Sequence, residues 1–430
     1  MNTLQAFNVN DALVIGLSQL LKHGIPVQSR NGRALMMAAP VTTSYLASCE
    51  RVLFSPERDV NPFFHLMEAM WMLDGRKDVH LPAYFSPGMK NFSVDGETLH
   101  GAYGYRWRKH FGFDQVEQAI TDLIQDPMSR RVVIGMWDPC ADGFPTEANA
   151  KDRPCNDLIK FQAVPTETGH QLNMSVFCRS NDAVWGAYGA NVVHFSYLHQ
   201  YVAEAAGMRV GTYHQISDNF HIYDQALYGE KLFNSLFEVD VVSEKTGFPV
   251  ALTKNLNECF VLSKEEAESE SPVIISRYNH YTTGEAAFLL YPFNVVSRKI
   301  NTEKADYYRK LFDNEVQDLL NSNGAFLCEH PFLRLVVRPI WETFNRYKET
   351  KTADDLNSVI QFLQAAEAEF EAHANTTEGE YHLTKSVYET FDGSSKSRLD
   401  WFLACEEWLE RRAATRREKE AKADTSVKGE

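Results

Sequence analysis

The chain has 430 residues, a net charge of −15, and 44% hydrophobic and 12% aromatic residues. That length can fill one large core or two ordinary ones, and the acidic balance argues against a nucleic-acid-binding protein, which needs a basic footprint; a local arginine cluster can still serve an anionic substrate. Seven cysteines (Cys49, Cys140, Cys155, Cys178, Cys259, Cys328, Cys405), odd in number and without CxxC spacing, fit reduced thiols in a cytoplasm rather than a disulfide framework or a metal site.

In chain order, the opening "MNTLQAFNVNDALVIGLSQL" lacks the basic start and long apolar core of a signal peptide. No apolar run approaches the ~18 residues of a membrane span. Residues 11–23 predict an amphipathic helix stopped near Gly24, followed by a loop, "QSRNGRA", with turn chemistry at Asn31-Gly32. Residues 61–74 predict a helix with an asparagine cap, Pro62 in its first position and Gly75 as its stop. Residues 115–126 predict another helix, ended before Pro127. "RVVIGMW", "DLIKFQAV" and "HQLNMSVFCRS" read as strands, "NVVHFSYLHQYVAEAAG" as a helix, "GMRVGTYHQIS" as a strand and "NFHIYDQALYGEKLFNSL" as a helix. A charged break, "SKEEAESES", begins at residue 263. Beyond about residue 300 the pattern is mostly helical, ending in a tail of about 415–430 expected to pass into disorder.

Cys155 precedes one of the strands, in "RPCNDLIKFQ". A cysteine there can be a small buried hydrophobe or a nucleophile at a sheet edge. Three arginine-bearing stretches bear on the choice: "SRNGR" with Arg30 and Arg33, "SRRVV" with Arg130 and Arg131, and "FCRSND" with Arg179 and Ser180. Each alone is ordinary surface. Converging, they would make a phosphate site, because guanidinium groups bind phosphate bidentately and hydroxyls add donors.

Six ordered motifs decide it: "MEAMWMLDG", "LHGAYGYRWR", "DPMSRRVVIGMWDP", "RPCND", "RSNDAVWGAYGANVVHF" and "NFHIY". Over roughly residues 20–235 the sequence resembles the thymidylate synthase and pyrimidine hydroxymethylase superfamily. The resemblance implies that family's α/β fold, a large mixed sheet with packed helices. It sets a catalytic domain at 1–264 and leaves 265–430 as a mainly helical extension. It implies Cys155 as the nucleophile that adds at C6 of a pyrimidine so that C5 can attack a one-carbon unit, with Arg179 favouring the thiolate. It implies Glu68 as a proton-handling carboxyl near C4 and C5, Tyr103 as an aid to proton removal at C5, and a role in catalysis for Asn156. Arg30, Arg179 and Ser180 match phosphate ligands of one subunit, and Arg130 and Arg131 match a pair donated across a homodimer with shared sites. His221 and Tyr223 match groups that bind the sugar 3′-hydroxyl. Asp182 matches the aspartate that holds the pterin of a folate, here 5,10-methylenetetrahydrofolate. Asn191 matches the residue that reads the base. Its amide suits the N3–H and O4 edge of uracil, whereas relatives acting on cytosine tend to carry Asp. The stretch "WGAYGAN" before it is one residue longer than the synthase pattern.

Four departures from a synthase point one way. Asn156 replaces the usual histidine, and Cys178 the usual glutamine. "AYFSPGMKNFSVDGE" has no tryptophan, leaving Met89 and Phe92 to face the folate, and the apolar closing tail of a synthase is not found. A synthase excludes water while it reduces the exocyclic methylene left on C5; a site open to water yields the 5-hydroxymethyl product instead. The expectation is a cytoplasmic, phage-type hydroxymethylase of a pyrimidine nucleoside monophosphate, making 5-hydroxymethyl-dUMP, with no nucleic-acid or membrane partner. The alternatives are a thymidylate synthase with an appended domain, a dCMP or CMP hydroxymethylase, and an inactive nucleotide-binding protein.

Overall fold

The computed structural model describes residues 2–29, 31–143, 152–167, 169–223, 238–242, 249–252, 302–322, 328–376 and 399–427. The chain divides into two compact units. One holds Met1–Val60 and Trp71–Asn279, the other Asn61–Met70 and His280–Glu430. The boundary expected at residue 264, the charged break, Cys259 and Arg30 lie outside the described residues.

The first unit is built on a mixed sheet in the order β1-β4-β9-β7-β6-β5, with β1 Asn2–Ala6, β4 Val41–Tyr45, β5 Val133–Gly135, β6 Asn156–Thr166, β7 Gly169–Cys178 and β9 Arg209–Ser217. Pairs β1/β4 and β7/β9 are parallel; β4/β9, β6/β7 and β5/β6 are antiparallel. On β6, Ile159, Phe161 and Ala163 are buried while Lys160 and Gln162 are exposed, the alternation expected of a strand with one covered face. A second sheet runs β2-β3-β10-β8, with β2 Ile25–Ser29, β3 Gly32–Met36, β8 Asn181–Asp182 and β10 Phe220–Tyr223. The stretch "QSRNGRA", expected as a loop, is corrected: Gln28, Ser29 and Gly32–Ala34 belong to the paired strands β2 and β3, and only the turn at Asn31-Gly32 holds, with Gly32 at φ 109°.

A second expectation is corrected by the strand that follows β9. Residues 220–223 form a strand, not the start of a helix, and the rest of the expected helix, 224–236, lies outside the described residues. Phe220, Ile222 and Tyr223 are strand formers, and the segment pairs antiparallel with β3 and parallel with β8. Neighbouring strands supply what a 3.6-residue periodicity count cannot register.

The helices match their signals. Helix α1, Val9–His23, is capped by the Asn8 side chain and stops at Gly24; α2, Pro62–Leu73, is capped by Asn61 and starts on proline. A short helix α3, His80–Phe85, leads into a 3₁₀ turn, Pro87–Phe92. Helix α4, Gln115–Gln125, is capped by Asp114. Helix α5, Asn191–Ala205, is buried along its whole length, so even its polar side chains sit inside. Ser196 Oγ donates to Val193 O at 3.0 Å, His199 Nε2 bonds Leu172 O at 2.6 Å, and Gln200 Oε1 accepts from Arg51 at 2.7 Å. Each such bond offsets the desolvation of a buried polar group.

The second unit has a core of its own. Its helices are α6 Thr302–Asn321, α7 Arg338–Glu349, α8 Ala353–Thr376 and α9 Asp400–Val427. Phe63 packs on Phe344 at 5.3 Å and on Trp408 at 5.7 Å between ring centroids. The Glu315 carboxylate accepts the amides of Glu329 and His330, both at 2.8 Å, tying the turn before α7 to α6. Residues 415–427, expected as a disordered tail, continue α9. Arg416 anchors that stretch with a 2.8 Å bond to Thr350 Oγ1. Among the described residues no helix is long and apolar enough to cross a membrane.

Candidate active site

The site is assembled where β6, β7 and β8 end. Cys155 is half-buried on the turn into β6. Arg179, just past β7, grips that turn: its Nε donates to Pro154 O at 2.8 Å and its Nη2 to Arg153 O at 3.3 Å. The same Nη2 stands 4.0 Å from Cys155 Sγ, and the guanidinium lies 5.4 Å over the Trp137 ring. A fixed cation beside a cysteine favours its thiolate, the form that acts as a nucleophile. Ser180, half-buried, follows Arg179 directly.

Asn156 and Cys178 face each other across β6 and β7. Both are buried, and the Cys178 thiol donates to Asn156 Oδ1 at 2.7 Å. Burial first, then the charges of Asp157 and Cys155, push the Cys178 thiol well above its usual range, so it stays a donor. Asn156 Nδ2 is left buried without a hydrogen-bond partner among the described residues.

Tyr103 sits between two glycines that tolerate no side chain. A Cβ on Gly104 would lie 2.1 Å from Met72 O, and one on Gly101 would lie 2.8 Å from Asp152 O. The Tyr103 ring stacks 5.9 Å from Phe195 on α5. Burial, followed by the charges of Cys155 and Asp152, raises its phenol well above the ordinary tyrosine value. Glu68 lies on α2, only 6% exposed, in the stretch 61–70 that groups with the second unit.

A π-helical turn, Ala183–Ala190, connects β8 to α5. Such a turn absorbs one residue more than an α-helical turn does, which accommodates the extra residue of "WGAYGAN". The irregularity falls at Tyr188 (φ −108°, ψ 17°) and Gly189 (φ −121°, ψ −110°). Asn191 then stands at the head of α5, 7% exposed, with Nδ2 donating to Asn181 Oδ1 at 3.1 Å. Arg58 braces the turn. Its Nε and Nη2 donate to Val184 O at 3.1 and 3.0 Å, and its guanidinium covers the Trp185 ring at 4.5 Å. Nothing in "SPERDV" distinguished Arg58 beforehand, because only the fold brings it to the turn.

Asp182 Oδ1 caps that turn by accepting the amides of Val184 and Trp185 at 2.9 and 2.6 Å. Its Oδ2 is buried without a hydrogen-bond partner among the described residues. Burial raises the Asp182 pKa against the opposing pull of the Trp185 amide and of His221. Beside it Trp185 is 53% exposed. A buried carboxylate oxygen beside a half-exposed indole could hold the N–H edge and flat ring of a pterin. Met89 is half-buried and Phe92 is 48% exposed on the 3₁₀ turn.

His221 Nδ1 bonds Asn219 O at 3.1 Å, which leaves Nε2 as an acceptor. Its ring meets Tyr223 edge-on at 4.8 Å, and the Tyr223 hydroxyl accepts from Asn31 Nδ2 at 3.3 Å. Arg130 and Arg131 are exposed beside Val133 of the edge strand β5, which is itself 46% exposed. Among the described residues no group of three or more His, Cys, Asp or Glu could hold a metal ion.

The thymidylate synthase family model matches residues 16–236. A deoxyuridylate hydroxymethyltransferase of Pseudomonas phage M6 is 36% identical over 423 residues, covering 98% of this chain and 98% of that protein. A deoxyuridylate hydroxymethyltransferase of Bacillus phage SP01 is 32% identical over 240 residues, 54% of this chain and 61% of that one. The crystal structure of thymidylate synthase from T4 phage overlays with a TM-score of 0.41 at 19% identity, over 49% of this chain and 76% of that one.

Proposed function

The chain belongs to the thymidylate synthase family, and from that membership we propose that it is a one-carbon transferase that hydroxymethylates dUMP at C5, the activity for which its phage relatives are named. The observation that carries the reading is Cys155 Sγ held 4.0 Å from the Arg179 guanidinium, on a turn whose carbonyls Arg179 also binds.

C5 of uracil is a poor nucleophile. Addition of the Cys155 thiolate at C6 turns C5 into an enolate-like carbon. When bound, 5,10-methylenetetrahydrofolate supplies the electrophilic one-carbon unit. Asp182 Oδ2 and the half-exposed Trp185 indole are the groups that would hold its pterin. Arg179 offers Nη1, which makes no hydrogen bond to the described residues, to the phosphate, and Ser180 adds a hydroxyl. His221 Nε2 accepts from the sugar 3′-hydroxyl, and the Tyr223 hydroxyl pairs with it. Tyr103 remains a phenol at neutral pH and assists loss of the C5 proton through its hydroxyl. Glu68 is assigned proton handling by its match alone. Asn156 Nδ2 is a buried donor with capacity for water or for O4.

The product is decided when water, rather than hydride, adds to the methylene on C5. The Pro87–Phe92 turn, which matches the folate-facing segment of the family, has no tryptophan and leaves Phe92 48% exposed, which favours the access of water. Arg130 and Arg131 complete the phosphate site of a second copy in a homodimer, and the protein works in the cytoplasm. Release of tritium from 5-tritiated dUMP, dependent on methylenetetrahydrofolate, tests the activity; no release above background contradicts it.

A further inference from the structure

We infer that Asn181 is a positioning residue that fixes which way the Asn191 amide faces and thereby selects uracil over cytosine. The inference rests on the reading of Asn191 as the base-contacting residue. Asn181 is 2% exposed on β8. Its Oδ1 accepts from Asn191 Nδ2 at 3.1 Å, and its own Nδ2 donates to Ser217 Oγ at 3.0 Å, at the end of β9. Ser217 is also 2% exposed.

The two ends of a carboxamide have nearly the same size and opposite hydrogen-bonding character, so shape alone does not orient it. With one Asn191 N–H committed to Asn181, the amide keeps one N–H and its Oδ1 for the base. Side by side, these complement O4 and N3–H of uracil. Cytosine presents the reverse, an amino donor and an N3 acceptor. Turning the Asn191 amide to suit cytosine would set its Oδ1 against Asn181 Oδ1, two acceptors in contact. Relieving that clash requires Asn181 to turn as well and Ser217 to change from acceptor to donor. The three side chains therefore switch together or not at all.

Gly186 makes the pair possible. A Cβ there would lie 2.6 Å from Asn181 Oδ1 and 3.3 Å from Asn191 Nδ2. Only a glycine lets the π-helical turn pass this close to both amides.

The test compares Asn181→Asp, Asn181→Ala and Asn181→Leu in the full chain. Calorimetric affinities and turnover are measured for dUMP and dCMP, with a thermal melt to verify folding. An aspartate can only accept, from the Asn191 amide and from a rotated Ser217 hydroxyl, so Asn181→Asp should keep the wild-type dUMP preference. Alanine and leucine cannot accept, so both should lower the dUMP-to-dCMP ratio by about tenfold or more. Leucine keeps the volume if alanine destabilises the fold. A merely structural role would lower both nucleotides together and leave the ratio alone; an unchanged ratio in a folded Asn181→Ala or Asn181→Leu variant overturns the inference. If the wild type binds neither nucleotide, it is the hydroxymethylase reading that fails, and that outcome is seen before any variant is compared.

Discussion

At the scale of single residues, Cys155 and Arg179 divide the labour of the site. The arginine has five donors, and at least two carbonyls and a sulfur share them. It holds the turn that carries Cys155 in place and sets a cation beside the Cys155 sulfur, which favours a thiolate. Cys155→Ser should abolish turnover, because a serine hydroxyl beside an arginine remains protonated at neutral pH. Binding of dUMP should survive, since the proposed phosphate, sugar and base contacts are assigned to other side chains. Calorimetry alongside tritium release checks both, and more than a few per cent residual turnover would count against the assignment. His199 gives a pH prediction. Burial, with smaller contributions from Arg51 and His214, holds it down to about 4 from the ordinary 6.5, against the Leu172 carbonyl, which raises it. The neutral ring is the folded form. Its stabilisation is complete above pH 6.5, falls as the pH drops below that value, and is gone near pH 4, a loss of about 3 kcal/mol. Chemical denaturation between pH 7 and pH 4 should show this slope, and His199→Asn should flatten it; an unchanged slope in the variant would show that other groups carry it.

At the scale of elements, most of what positions the site was readable from the chain. Asn61-Pro62 announced α2, Pro127 announced the end of α4, and the alternation in "DLIKFQAV" announced β6, because caps, prolines and period-two patterns are local signals. Residues 220–223 were not, because their strand character comes from partners β3 and β8, remote in sequence. The π-helical turn was visible only as one residue too many in "WGAYGAN", and Arg58, which braces it from 126 positions away, left no trace. The two glycines of "GAYG" were visible as letters, but their reason is tertiary. Gly104→Ala would force a methyl to within 2.1 Å of Met72 O, a backbone atom that cannot rotate away. The expected cost is about 1–3 kcal/mol of stability, from the usual penalty for overpacking. Displacing Tyr103 should also lower tritium release by about tenfold. A melt within a degree of wild type would mean that the helix crossing is more compliant than this packing implies.

At the scale of the whole molecule, two units share one chain, and similarity to the Pseudomonas phage M6 protein runs through both. The second unit carries its own aromatic core around Phe63, Phe344 and Trp408. The helical character of that unit was evident from its composition, but its packing was not, because Phe63 reaches it from a segment more than two hundred residues earlier. Arg130 and Arg131 stand exposed beside an edge strand, where a second copy could use them. Mixing an Arg131→Ala chain with a Cys155→Ser chain should restore activity if sites are shared, since one site of each heterodimer then has both groups; verified heterodimers without recovery would contradict sharing. The central claim concerns the product, and it is tested most directly by the mass of the nucleotide formed from dUMP and methylenetetrahydrofolate, with absorbance followed during turnover. The account predicts 5-hydroxymethyl-dUMP, one oxygen heavier than dTMP, with no rise in dihydrofolate absorbance. Stoichiometric dTMP and dihydrofolate would contradict it.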